Sequence, residues 1–169
     1  MSEYSASQIE AIFHHCFYQS FQTVLVGGAL EPLYQPSAKT SDDHQIFYRE
    51  DFLQSALHEV AHWCLAGEAR RQQVDYGYWY VPESQRAPDM QQTFIQVEAK
   101  PQALERCFTE ALGCKFRPSF DNIDGYDSAQ LIEFESLINK KYIALKQDGL
   151  PPRALRFFNA LAAFANENP

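Results

Sequence analysis

The sequence predicts an α+β fold: a mostly helical domain with a small β-sheet, covering residues 1–169 as one unit. Three observations carry this. Five segments place apolar residues at helical spacing. Two short runs are β-branched or aromatic and are bounded by glycine, proline or polar clusters. The chain has 169 residues, enough for one substantial core, and shows no repeat or low-complexity segment at which to divide it.

The elements follow in order. "SASQIEAIFHHCFYQSF" carries Ile9, Ile12, Phe13, Cys16 and Phe17 on one helical face, with Ser7 and Glu10 spaced as a capping box. His14 and His15 on this helix read as ordinary histidines. "TVLVGG" predicts a strand, "EPLYQPSAKTSDDHQ" a loop with His44 exposed, and "QIFYRE" a second strand. From Asp51 to Ala66 the apolar face formed by Leu53, Leu57, Val60, Ala61, Cys64 and Leu65 is wide enough for a helix buried on most sides, and Gly67 is placed to end it. "VDYGYWYVP" reads as a strand or extended edge, and "ESQRAPD" as a loop. "MQQTFIQVEAKPQALERCFTEALG" is helical, but Pro101 removes the amide that would bond the Val97 carbonyl, which predicts a kink or break just after Glu98. "KFRPSFDNIDGY" is a loop, and two amphipathic helices follow, at 128–149 and 151–167, the second with proline at its entrance.

Composition limits the function. The formal net charge is −8 and the apolar fraction 46%, so the chain folds but repels phosphate backbones. Direct nucleic-acid binding is disfavoured, and cationic partners are favoured. Cys16, Cys64, Cys107 and Cys114 are widely spaced and form no C-x-x-C pair, the pattern of free thiols. The polar start "MSEYSASQ" has no signal-peptide pattern, and no apolar run is long enough to span a membrane. The expectation is a cytoplasmic protein in a reducing compartment.

The chemistry concentrates at "HEVAH". On a helix, residues four apart lie one turn up the same face, so His58 and His62 can converge on one cation. Two histidines in an apolar stretch need partners, and a metal ion satisfies both at once. The alternative is two histidines with unrelated hydrogen bonds. The best third ligand is Glu98, a carboxylate in the otherwise neutral stretch "FIQVEAKP", whose alternative is pairing with Lys100 or Lys141. Two histidines and one carboxylate leave coordination positions open, as catalysis requires. With zinc, Glu59 would act as general base in a peptidase. With ferrous iron the same set suits an oxygenase, although the usual oxygenase spacing is not present. A metal that only holds the fold is a third reading.

"ALHEVAHWCLAGEARR", "VDYGYWYVP" and "VEAKPQAL", in this order and spacing, resemble the bacterial elongation factor P hydroxylases, as do "PSFDNIDG" and "GLPPRALRFFNAL" further on. The resemblance runs from about Ile9 to Phe164 and is weaker in the loops at 35–45 and 82–92. It implies an iron-dependent enzyme that hydroxylates the β-lysylated lysine of elongation factor P as the last step of that modification. It also implies a fold like that of zinc-dependent peptidases, with a metal-binding helix pair and His58, His62 and Glu98 as ligands. Zinc could replace iron in purified protein, and no 2-oxoglutarate signature is visible. An acidic chain would attract the cationic substrate. Tyr78, Trp79 and Tyr80 could form a cation–π wall for an ammonium group, or simply a core strand. Asp121 and Asn122 could contact substrate or form a turn. Arg70 and Arg71 could pair with Asp75, orient Glu98 or stay solvated, and Glu59 is expected to support the ligands from behind.

Overall fold

The computed structural model describes residues 3–78, 88–119 and 127–169, with backbone alone at 88–91. The architecture is α+β: helix α1 (Ala6–Phe21), strands β1 (Thr23–Ala29), β2 (Leu33–Gln35) and β3 (His44–Arg49), then helices α2 (Leu53–Leu65), α3 (Pro88–Ala111), α4 (Ser128–Asp148) and α5 (Pro152–Glu167). The strand order is β1-β3-β2, with β1 parallel and β2 antiparallel to β3. Leu25 stands beside Ile46 in the register, and both are buried.

The "EPLYQP" stretch therefore holds a strand, where a loop was expected. Two prolines flank only three residues, too short a run to show alternation, but Tyr34 is buried and anchors it. His44 is half-buried, not exposed, because its Nδ1 accepts the Ser37 amide at 2.9 Å. The capping box of α1 sits one S-x-x-E/Q match earlier than expected: Ser5 caps the helix and Gln8 closes the box.

One aromatic cluster ties the helices together. Trp63 of α2 packs on Phe13 and Phe17 of α1 at ring separations of 5.1 and 4.8 Å. Phe157 of α5 meets Phe13 at 6.2 Å and Phe108 of α3 at 4.9 Å. Each buried ring of this size contributes roughly 1.5–3 kcal/mol, so the cluster fixes α2 firmly against its neighbours. All four cysteines are free; Cys16, Cys64 and Cys107 are buried and Cys114 half-buried.

Two predicted boundaries of the central helices differ from the structure. Gly67 does not end α2. The cap residue Ala66 is extended, at φ −74° and ψ 124°, and the orphan carbonyls are taken by guanidinium groups. Arg153 donates to the Trp63 and Ala66 carbonyls at 2.6 Å each, and Arg71 donates to the Ala66 carbonyl at 2.7 Å. Two cations at a helix C-terminus also oppose the negative end of its dipole, so a left-handed glycine is not needed. Arg71 is thus not simply solvated. Arg70 is held as well, donating to the Tyr76 carbonyl at 3.0 Å.

Nor does Pro101 break α3, which runs through it without interruption. The carbonyl it orphans belongs to Val97, an exposed residue open to water, while Pro101, Ala99, Ala103 and Leu104 are buried against the other helices. Packing on that face outweighs one missing hydrogen bond. Val74–Gly77, expected to be extended, is instead a tight 3₁₀ turn with Asp75 at φ +49° and Tyr76 at φ +59°. The loop expected at 83–89 lies outside the described residues up to 87, and Pro88 and Asp89 already belong to α3.

Candidate metal centre

α2 and α3 pack side by side, and their facing sides carry a group of buried and half-buried polar residues. On α2 these are His58 and His62. On α3 the buried polar residues are Glu98, Gln102, Glu105 and Thr109, spaced four, three and four apart, which makes one helical stripe. Such a stripe in a core is costly unless every member is paired. Glu98 is 5% exposed and faces both histidines. Its Oε2 lies 3.2 Å from His58 Nε2, and its Oε1 lies 3.3 Å from His62 Nε2. The two Nε2 atoms are 3.1 Å apart. Glu98 is therefore not paired with Lys100 or Lys141.

This triangle fits a metal ion. Two imidazole nitrogens and a carboxylate oxygen, all lone-pair donors, point at one another and need a positive centre between them. Ligand atoms about 2.1 Å from a metal, at angles between tetrahedral and octahedral, stand about 3.0–3.4 Å apart, which matches the separation of the two nitrogens and that of each nitrogen from one of the two Glu98 oxygens. His58, His62 and Glu98 are the group among the described residues whose ligand atoms are close enough to share an ion. The donor set alone does not choose between iron and zinc.

The electrostatics agree. Burial would raise the Glu98 pKa, but the adjacent His62 and the hydrogen bonds to His58 and His62 hold it far below the usual carboxylate range. Burial would lower that of His58, but hydrogen bonds to Glu105 and Glu98 hold it well above its ordinary value.

Sequence reasoning missed Glu105. Its Oε1 lies 2.9 Å from His58 Nδ1, on the side of the ring away from Glu98. The signal was present in its spacing: Glu105 is seven residues beyond Glu98, two turns along the same face. Gln102, between them, clamps the backbone of Ser119, accepting its amide at 2.9 Å and donating to its carbonyl.

Glu59 is half-buried beside the trio. Burial pushes its carboxyl pKa up, against the pull of His62 and His58. Behind His62 the ring of Tyr76 lies parallel at 6.5 Å, itself stacked on Tyr34 at 4.4 Å. A cavity of about 190 Å³ adjoins His62, lined by Leu65, Ala66, Tyr78, Val97, Lys100 and Pro101. Tyr78 thus stands at the centre's edge, with the Arg70 guanidinium 4.5 Å over its ring. Trp79, Tyr80, Asp121 and Asn122 lie outside the described residues.

Comparison with known proteins supplies the lineage. The family model described as "Elongation factor P hydroxylase" matches residues 12–169. The chain belongs to the elongation factor P hydroxylase family. A curated relative from Haemophilus influenzae, named elongation factor P lysine hydroxylase, is 38% identical over 162 residues, covering 96% of this chain and 90% of the relative. All of α2 and α3, and so the whole His58–His62–Glu98–Glu105 constellation, falls within the stretch matched to the elongation factor P hydroxylases.

Proposed function

We propose that this enzyme hydroxylates the β-lysylated lysine of elongation factor P, as the last step of that modification, with ferrous iron held by His58, His62 and Glu98. The observation that supports it most is the convergence of the His58 and His62 Nε2 atoms, 3.1 Å apart, with one Glu98 oxygen 3.2 Å from the first and the other 3.3 Å from the second, in a chain of this family. Iron bound there would supply the redox chemistry that turns a C–H bond into C–OH.

The protein residues do the rest. Three ligands from two helices hold the ion on one face and leave the opposite positions free. The cavity beside His62 has an apolar wall of Leu65, Val97 and Pro101, suited to the methylene stem of a lysyl side chain. Tyr78, Trp79, Tyr80 and Asp121 are the residues proposed to meet the substrate. The chain's net charge of −8 draws a cationic side chain inward. Glu59, next in sequence to His58 and half-buried beside the trio, is the carboxylate assigned to support the ligands.

The test is mass spectrometry of lysylated elongation factor P incubated with iron and protein purified without oxygen. A gain of one oxygen atom on the modified lysine is expected. Cleavage of the substrate chain would overturn the proposal in favour of a zinc peptidase with Glu59 as base.

A further inference from the structure

Glu105 lies deep in the protein: 3% exposed, on the buried stripe of α3. A carboxylate there is expensive unless an opposite charge and hydrogen bonds compensate it. Among the described residues its carboxylate has one hydrogen-bond partner, His58 Nδ1 at 2.9 Å. The Thr109 hydroxyl bonds only to the Glu105 backbone carbonyl, at 2.9 Å. Nothing else in the described core explains an acid at this position.

The geometry has a chemical consequence. An ionised carboxylate only accepts, so the proton of the bond belongs to Nδ1. The second ring nitrogen, Nε2, is the one that faces Glu98 and His62. A neutral imidazole with its proton on Nδ1 has its lone pair on Nε2, the form a metal ligand needs. Rotating the ring by half a turn would break the bond to Glu105 and turn the wrong edge to the centre. Among the described residues no carboxylate is hydrogen-bonded to the far side of the His62 ring as Glu105 is to that of His58; the Tyr76 ring lies parallel to it at 6.5 Å.

We propose that Glu105 is a positioning residue of the centre: it fixes the tautomer and ring orientation of His58, and thereby sets the affinity for the metal. This rests on the reading of His58, His62 and Glu98 as ligands. Carboxylates placed behind ligand histidines affect metal affinity by about 10–100-fold. The rival explanation is an ion pair that merely ties α3 to α2.

Two variants separate these. Glu105→Met fills the same space without an acceptor. Glu105→Gln keeps an oxygen that can accept the Nδ1 proton but loses the charge. Zinc, which is diamagnetic, serves as the probe, titrated against a competing chelator, with histidine ¹⁵N spectra of the zinc-loaded protein as second readout. Glu105→Met should bind zinc about 10–100-fold more weakly and lose the slowly exchanging His58 Nδ1 proton. Glu105→Gln should recover most of the affinity and keep that proton. Should Glu105→Met bind zinc as tightly as the parent chain, with only its metal-free melting temperature lowered, the tie between helices is the right explanation and the proposal is wrong. Should Glu105→Met fail to fold, Glu105→Gln decides: loss of the Nδ1 proton together with unchanged affinity overturns the proposal. If the parent chain takes up no zinc, or His58→Ala takes it up equally well, the centre itself falls and the proposal with it.

Discussion

The Glu98 carboxylate closes on His62 from the neighbouring helix, with Oε1 3.3 Å from Nε2. Glu98, put forward from the sequence as the third ligand with a lysine pairing as the alternative, is 5% exposed, and its carboxylate is shared between two imidazoles. Several outcomes depend on that closure.

His58→Ala, His62→Ala and Glu98→Ala should each remove stoichiometric metal binding, because two remaining ligands do not make a stable site. Hydroxylation should vanish with it. Glu59→Gln should keep most of its metal, since that carboxylate is not part of the triangle. Metal content after anaerobic reconstitution checks all four. Metal retained at full occupancy in Glu98→Ala would remove Glu98 from the ligand set.

Metal uptake should release protons at neutral pH. In the metal-free protein burial opposes the His58 cation, but hydrogen bonds to Glu105 and Glu98 hold its pKa well above the usual value. A raised histidine stabilises the fold fully below its unfolded value of about 6.5, and that contribution is lost as pH climbs through the folded value. The metal-free melting temperature should therefore decline above neutrality, while metal affinity rises over the same range as the competing proton leaves. Titration calorimetry in buffers of different ionisation heat measures the proton release. Affinity independent of pH between 6 and 9 would contradict this, a window set by the histidine's ordinary range of roughly 6.5 and above.

Arg153→Met should destabilise the fold by about 2 kcal/mol, from the loss of two charge-assisted hydrogen bonds to the end of α2. Arg153→Lys should restore little, because one ammonium cannot reproduce the fork that spans the Trp63 and Ala66 carbonyls. Urea denaturation of metal-free protein gives both values.

Tyr76→Phe should leave the metal-free fold as stable as before, or make it slightly more stable. The Tyr76 hydroxyl is buried and finds no hydrogen-bond partner among the described residues, so its removal costs no bond there and relieves a desolvated group. The ring, stacked between Tyr34 and His62, is kept. A melting temperature several degrees lower would show that the hydroxyl is bonded.

Much of this site was legible in the chain. His58 and His62 are fixed by local helical geometry, and Glu98 stood out as a carboxylate without local reason to be there. The remainder is set by tertiary contacts that leave little trace in sequence. Arg153 ends a helix nearly ninety residues before it, so Gly67, a plausible local stop, was not needed. "EPLYQP" became a strand because Tyr34 finds a buried place against β3 and a bond from its amide to Asp75 at 2.9 Å. That same bond anchors Asp75 in the turn at Val74–Gly77, where Asp75 and Tyr76 are left-handed although alternation of large rings suggested extended chain. Glu105 was overlooked because a glutamate among "ALERCF" resembles a solvent-facing helix residue until the partner helix is in place.

Anomalous diffraction from crystals grown with ferrous iron and without oxygen tests the central claim most directly. One iron peak is expected within about 2.0–2.3 Å of His58 Nε2, His62 Nε2 and a Glu98 oxygen, distances typical of such ligands. A metal-loaded crystal in which Glu98 turns away from both imidazoles, or in which the iron sits elsewhere, would contradict it.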